Sequence, residues 1–276
     1  MQGSTPPFAG RTLHSNCLTR AQVHPRERGI VFRRVDLPGR PTIPADLDHV
    51  QVAARRTRLA DGSASIDTVE HVLSALAGLG VDAAEVWVWG SELPQLDGSA
   101  LPWANAIHRA SQPDGRRSVA RWQPSRRWTW RDGDSRCEIL PSDRPTLSCT
   151  IDYEHPAIGH QQLEVELDRP AHYLARVAPA RTFGLLGEAE ILREQGLAQG
   201  ASLESVLVFD EAGVSSPSGL RYADEPVRHK VLDAVGDLAL LGAPLGGRIE
   251  LVRSSHAFLI ASLRRAVGLG VLRLVG

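Results

Sequence analysis

Arg228-His229-Lys230-Val231-Leu232-Asp233-Ala234-Val235-Gly236-Asp237 decides how this chain is read. As a helix of about 3.6 residues per turn it sets His229, Asp233 and Asp237 at i, i+4 and i+8, one polar stripe on one face. Val227, Val231, Leu238 and Leu241 give the same helix an apolar side, so it lies on a core. The stretch has an echo. His71-Val-Leu-Ser-Ala-Leu-Ala-Gly-Leu-Gly80 resembles Lys230-Val-Leu-Asp-Ala-Val-Gly-Asp-Leu-Ala239. Two such helices, each preceded by strands, predict an α+β chain of two related halves. Amphipathic helices also look alike by chance, so the echo alone leaves a plain helix pair open.

Outward from these helices the pattern is regular. Asp67 to Leu79 reads as helix, with Asp67 or Thr68 as its cap and Val69, Val72, Leu73, Leu76 and Leu79 buried. Leu18 to Leu37 reads as strands around Ile30-Val31-Phe32, and Glu85 to Trp89 alternates as another. A loop from Pro94 to Pro102 leads into a helix from Trp103 to Ala110. The polar, turn-rich residues 111–118 place the domain boundary, giving units 1–115 and 116–276. The second unit predicts strands at 127–140, 146–152 and 162–167, and a helix from Thr182 to Gly196. A strand Val206 to Phe209, the helix 224–242, a strand Arg248 to Arg253 and a helix 256–267 complete it. Residues 1–9 read as loose.

Composition narrows the classes. With 276 residues, 42% hydrophobic and 23% charged, the chain can bury a full core. Its formal net charge of −1 supplies no overall field toward nucleic acid or anionic membrane. No apolar run of about 18 residues predicts a membrane span. The N-terminus shows neither the basic nor the apolar region of a secretory signal. Three widely spaced cysteines without C-x-x-C argue for reduced thiols and a cytoplasmic protein.

The stripe carries chemistry. Zinc takes nitrogen from histidine and oxygen from carboxylates, and a catalytic site leaves a position open. His229 and Asp233 offer two ligands, and His71 a third from the other half. A solvent-facing polar stripe is the competing reading. Glu70, beside His71, points elsewhere along the helix and suits a general base; an ordinary acid at a helix start would look the same. Asp237 suits a partner that orients a histidine and stabilises its cation.

Five stretches together resemble one enzyme family. They are Thr68-Val-Glu-His-Val-Leu-Ser-Ala-Leu-Ala-Gly-Leu-Gly-Val-Asp, Leu96-Asp-Gly-Ser-Ala, Ala180-Arg-Thr-Phe-Gly, Gly219 through Leu238, and Ser255-His-Ala. In order and spacing they are similar to the zinc-dependent UDP-3-O-acyl-N-acetylglucosamine deacetylases of lipid A biosynthesis. The likeness runs from about Gly10 to Val267. It implies two α+β domains, each a two-layer sandwich of sheet and helices, with the helices facing and the active site between. It implies Zn2+ on His71, His229 and Asp233, Glu70 as general base and His256 as general acid. Lys230 and Thr182 would meet the oxyanion, and Asp237 would support His256.

Further roles follow from the same resemblance. Phe183 would pack on the sugar, Tyr153 stack on the uracil and Arg253 meet a phosphate. Asp97 would support the site through hydrogen bonds. Leu185 to Val208 would form an apolar tunnel for the acyl chain, lined by Leu186, Ala189, Ala198, Ala201 and Val208; Ala201 stands where glycine is common. The implied substrate is a small acylated UDP-amino sugar, with no nucleic acid partner and a monomeric enzyme. Some positions depart from the family. The usual Gly-x-Gly-Leu-His-Ser-Gly is here Ala9-Gly-Arg-Thr-Leu-His-Ser-Asn16, the glycine before the last histidine is Ser255, and the first strand reads as shortened or missing. The altered N-terminal motif keeps open a zinc amidase on a different N-acetylated sugar; a non-catalytic nucleotide-sugar-binding paralogue is a third reading, opposed by the joint presence of His71, His229, Asp233, Glu70 and His256. Iron(II) also fits a donor set of two histidines and one aspartate.

Overall fold

A computed structural model describes residues 1–111 and 120–276 of the chain. The expected boundary at 115/116 lies outside the described residues.

The first half runs β1 (Phe8–Arg11), β2 (Leu18–Pro25), β3 (Gly29–Arg34), β4 (Thr42–Pro44), β5 (Val50–Gln51), β6 (Arg58–Asp61) and β7 (Ala64–Asp67). Then come α1 (Glu70–Gly78), β8 (Ala83–Trp89) and α2 (Leu101–Ala110). The second half runs β9 (Arg121–Pro124), β10 (Trp128–Asp132), β11 (Ser135–Leu140), β12 (Thr146–Asp152), β13 (His160–Glu166) and α3 (Pro170–Arg176). It continues with β14 (Phe183–Leu185), α4 (Leu186–Glu194), β15 (Leu207–Asp210), β16 (Gly213–Ser215) and α5 (Glu225–Ala239). It closes with β17 (Arg248–Val252), α6 (His256–Gly268) and β18 (Leu272–Val275).

The two halves share one topology. The first sheet has strand order β1-β2-β8-β3-β4 and the second β10-β11-β17-β12-β13. In each the central strand is the one that follows the long helix. It pairs antiparallel to the second strand and parallel to the third. Each sheet turns one face inward, because apolar residues alternate along its strands. In β8, Ala84, Val86 and Val88 are buried while Ala83, Glu85, Trp87 and Trp89 are half-exposed. In the second sheet Cys137, Leu251, Cys149 and Leu163 align across four strands and are all buried. The sequence echo between the helices is therefore a true repeat, since α1 and α5 occupy equivalent places.

Each half also inserts a small sheet before its long helix. The first is β5-β6-β7 and the second β14-β15-β16 with α4. The inserts flank the seam where α1 packs on α5. Gly236 makes that seam possible. A Cβ there would collide with the Glu70 backbone carbonyl, so only glycine lets the two helices approach this closely.

Several expectations are corrected. Residues 1–9 are not loose: Thr5 is buried, its N–H donates to the Val23 carbonyl at 2.9 Å, and Phe8 opens β1. The first strand is thus present. Neither Asp67 nor Thr68 caps α1, which starts at Glu70 with no side-chain cap. Asp67 ends β7 and is held by Arg58, while Thr68 takes φ +60°. The predicted helix from Thr182 begins only at Leu186, because Phe183–Leu185 pairs parallel with Leu207–Phe209. Helix α3 and strands β5 to β7 carry too little periodicity to be anticipated. Asn16 has φ +55°, so it does occupy the left-handed position where glycine was expected. Ser255 has a use of its own: its hydroxyl accepts from the Phe258 N–H at 3.2 Å and caps α6.

Candidate active site

The N-terminal turn of α1 and the middle of α5 meet at the seam, and the polar stripe of α5 faces it. His71, His229 and Asp233 are buried there, and their ligand atoms all lie within 4.8 Å of one another. His71 Nε2 is 3.8 Å and His229 Nε2 3.4 Å from Asp233 Oδ1. The two imidazoles stand edge to face, with ring centroids 5.2 Å apart. Neither helix could build this cluster alone.

The donor set suits one divalent metal ion. Burial pushes the His71 imidazole down to about 3, and burial also lowers His229. Both rings are therefore neutral and can lend a lone pair. The His229 Nδ1–H donates to the Ala180 carbonyl at 3.1 Å, which leaves Nε2 for a ligand. Asp233 stays ionised. Burial would raise its carboxyl, but the Lys230 ammonium and the His256 imidazolium overcome this and hold it below the usual carboxylate range. Neutral imidazole and ionised carboxylate are the forms in which these residues bind metal.

A second group of side chains surrounds the cluster. Glu70 is buried, and burial pushes its carboxyl up to about 7 against the opposing pull of His256. The His256 Nδ1–H donates to Asp237 Oδ2 at 2.7 Å. Burial opposes a cation on His256, but Asp237 outweighs it and raises the imidazole to about 9. His256 Nε2 lies 3.8 Å from Asp233 Oδ2, so its free edge points toward the ligand cluster. Lys230 donates to Asp233 Oδ2 at 2.9 Å; burial disfavours its charge, and Asp233 more than restores it.

Thr182 is held by backbone on both sides. Its N–H donates to the Gly98 carbonyl and its carbonyl accepts from Leu207, each at 2.9 Å. Gly98 has φ +81°, and a Cβ there would collide with the Ser205 carbonyl. The neighbouring Arg181 is fully buried with Glu225, Nε to Oε1 at 2.9 Å, and also binds Ser216, Ser218 and the Gly219 carbonyl. This buried pair ties the Ala180–Thr182 segment to the start of α5.

The softer expectations fall around this centre. Phe183 stands edge-on to His229, centroids 6.4 Å apart, and to Tyr153 at 5.6 Å. Arg253 takes φ +48° and pairs with Asp134 at 2.9 Å and Asp152 at 3.4 Å. Asp97 accepts from the Ser99 N–H and hydroxyl and pairs with Arg221 at 3.0 Å. Leu186 opens α4 and is 54% exposed, whereas Ala189, Ala198, Ala201 and Val208 are half-buried. Two contributors escaped the sequence reading. Arg181 lies in a quoted motif but is given no role there. Thr57 sits in Arg55-Arg56-Thr57-Arg58, a basic run with no spacing that points to a site.

Comparison with known proteins places the chain in a family. The family model described as UDP-3-O-acyl N-acetylglycosamine deacetylase matches residues 4–267. The chain belongs to that family. Relatives named UDP-3-O-acyl-N-acetylglucosamine deacetylase include one from Anaeromyxobacter dehalogenans, 42% identical over 246 residues, 88% of this chain and 78% of the relative. One from Citrifermentans bemidjiense is 38% identical over 256 residues, 92% of this chain and 84% of the relative. One from Pseudomonas entomophila is 41% identical over 244 residues, 88% and 80% respectively. Among the described residues no helix is long and apolar enough to cross a membrane.

Proposed function

We propose that this protein is the zinc-dependent enzyme that removes the N-acetyl group from a UDP-3-O-acyl-N-acetylglucosamine in lipid A biosynthesis. The observation that carries this is the meeting of His71, His229 and Asp233 with Glu70 on one side and His256–Asp237 on the other. A binding module has no need of a base and an acid around a ligand cluster.

Zinc held by His71, His229 and Asp233 would supply Lewis acidity, polarising the acetamide carbonyl and acidifying water. Glu70 takes a proton from the attacking water as the carbon–oxygen bond forms. Lys230 and Thr182 balance the charge that develops on the carbonyl oxygen. His256 gives its proton to the amine nitrogen as the carbon–nitrogen bond breaks, and Asp237 stabilises the imidazolium beforehand. The products are the free 2-amine and acetate.

Phe183 and Tyr153 offer apolar faces for the sugar and uracil, and Arg253 a cation for phosphate. Leu186 and Ala201 border the acyl-chain passage. Asn16 holds the left-handed backbone expected of a glycine there, which supports the same substrate reading. Residues 1–115 and 116–276 act as the two units, each supplying part of the site, in a monomeric cytoplasmic enzyme. Acetate release from UDP-3-O-acyl-N-acetylglucosamine tests the reading. Turnover lost with chelator and restored by zinc supports it; a metal-loaded protein without turnover sinks it.

A further inference from the structure

Thr57 touches both the base and the acid pair of the site. It is 2% exposed and precedes β6 of the first-half insert. Its N–H donates to Glu70 Oε2 at 3.0 Å. Its hydroxyl lies 2.7 Å from Asp237 Oδ1 and 3.2 Å from His256 Nδ1. Its own carbonyl accepts from the Val69 N–H at 3.4 Å, next to Glu70.

We propose that Thr57 is a positioning residue that locks the Asp237–His256 pair of one half onto Glu70 of the other. The inference rests on the deacetylase reading above. Asp237 is 1% exposed, and an ionised carboxylate buried this deeply needs hydrogen bonds on both oxygens. Oδ2 takes the His256 Nδ1–H at 2.7 Å, and Oδ1 takes the Thr57 hydroxyl at 2.7 Å. The hydroxyl has one proton to give. His256 Nδ1 is itself the donor to Oδ2, so that proton goes to Oδ1. Two bonds from two directions fix the carboxylate plane, and the plane fixes the imidazole. Nδ1 then keeps its hydrogen and Nε2 keeps its aim at the cluster. On the other side the backbone N–H pins Glu70 Oε2. One residue therefore sets the distance between proton acceptor and proton donor across the seam.

The test compares Thr57→Val, which keeps the shape and the N–H but loses the hydroxyl, with Thr57→Ser, which keeps both. Each is made alone and with His256→Ala. In Thr57→Val, kcat falls about tenfold to a hundredfold while KM stays within about twofold, as expected when only alignment is lost. Bound metal is unchanged, and Thr57→Ser restores kcat. With His256→Ala present, Thr57→Val costs less than about twofold, because residues acting as a unit are not additive. The downfield proton signal of the His256 Nδ1–H shifts or broadens in Thr57→Val and is retained in Thr57→Ser. Equal losses in both backgrounds, or unaltered kcat in Thr57→Val, overturn the proposal. Should Thr57→Val not fold, Thr57→Cys replaces it: the thiol is a weak donor, and kcat equal to that of Thr57→Ser overturns the proposal. If the metal-loaded wild type does not release acetate, the functional reading fails; the proton signal of folded protein then decides on Thr57 alone.

Discussion

His256 and Glu70 carry opposite demands, and their surroundings meet both. Burial lifts the Glu70 carboxyl to about 7, while Asp237 lifts His256 to about 9. The proposed roles need Glu70 ionised and His256 protonated. Activity therefore rises with pH as Glu70 loses its proton and falls as His256 loses its own. A bound cation stabilises the deprotonated form of each group, so both limbs lie at lower pH than these values. A kcat profile that rises without a falling limb would remove His256 from the acid role. Replacing His256 by alanine lowers kcat by about 10²-fold or more, the usual worth of a general acid. Metal content stays at the wild-type level, since His256 is not among the three ligand residues. Parallel loss of metal and activity in that variant would make His256 structural. Legibility at this scale was uneven. His229, Asp233 and, beside them, His71 and Glu70 were legible in helical spacing, whereas His256 was legible only through the resemblance to a family. Thr57 and Arg181 were not legible, because a hydroxyl or a guanidinium has no meaning until its partners are known.

At the scale of elements, periodicity was a good guide wherever a segment meets a single core. The long helices show it: α1 and α5 bury the apolar faces that their spacing predicts. It failed where a distant partner decides. Phe183–Leu185 is strand because Leu207–Phe209 lies alongside, and Asp67 is no cap because Arg58 claims it. The tie between Arg181 and Glu225 gives a stability prediction of its own. Burial would raise the Glu225 carboxyl, but Arg181 and two backbone N–H groups leave it below the ordinary range. A carboxyl depressed in the folded state stabilises the fold above its unfolded value, near 4.3, and that contribution is lost as pH falls through the folded value. Glu225→Gln should therefore flatten the acid limb of the stability curve, as read by denaturant titration from pH 7 down to 3. Removing the charge of one partner leaves Arg181 buried and unpaired, at a cost of about 3–5 kcal/mol. A loss below about 1 kcal/mol would show that the pair is not what holds Ala180–Thr182.

The whole molecule is two copies of one topology joined at a seam, and the site exists only there. Gly236→Ala tests the seam without touching a ligand. An added methyl against the Glu70 carbonyl should cost about 1–3 kcal/mol by overpacking and should weaken metal affinity, because α1 and α5 are pushed apart. Metal affinity and Tm are the readouts; a drop in Tm with unaltered affinity would mean that the ligands adjust independently of the helices. Metal removal probes the same link. His71 belongs to one half and His229 and Asp233 to the other, so an ion held by the proposed ligands would bridge the two. At a hundredfold excess over Kd the ion stabilises the folded state by about 2.7 kcal/mol. Chelation should lower Tm by several degrees, and restoring zinc should recover it.

The sequence by itself determined the α+β class, the two related halves and the residue types of the proposed site. These properties are written locally, in apolar periodicity and in the motifs of a family. Only the tertiary structure decided how the pieces serve one another. It showed that the two sheets share a strand order, that Gly236 sets the helix approach, and that Arg181 and Thr57 are buried among distant partners. The physical reason is that a hydrogen bond or a close contact belongs to a pair. Thr57 and Asp237 are 180 residues apart in the chain. No local pattern marks a partner that only the completed fold brings near.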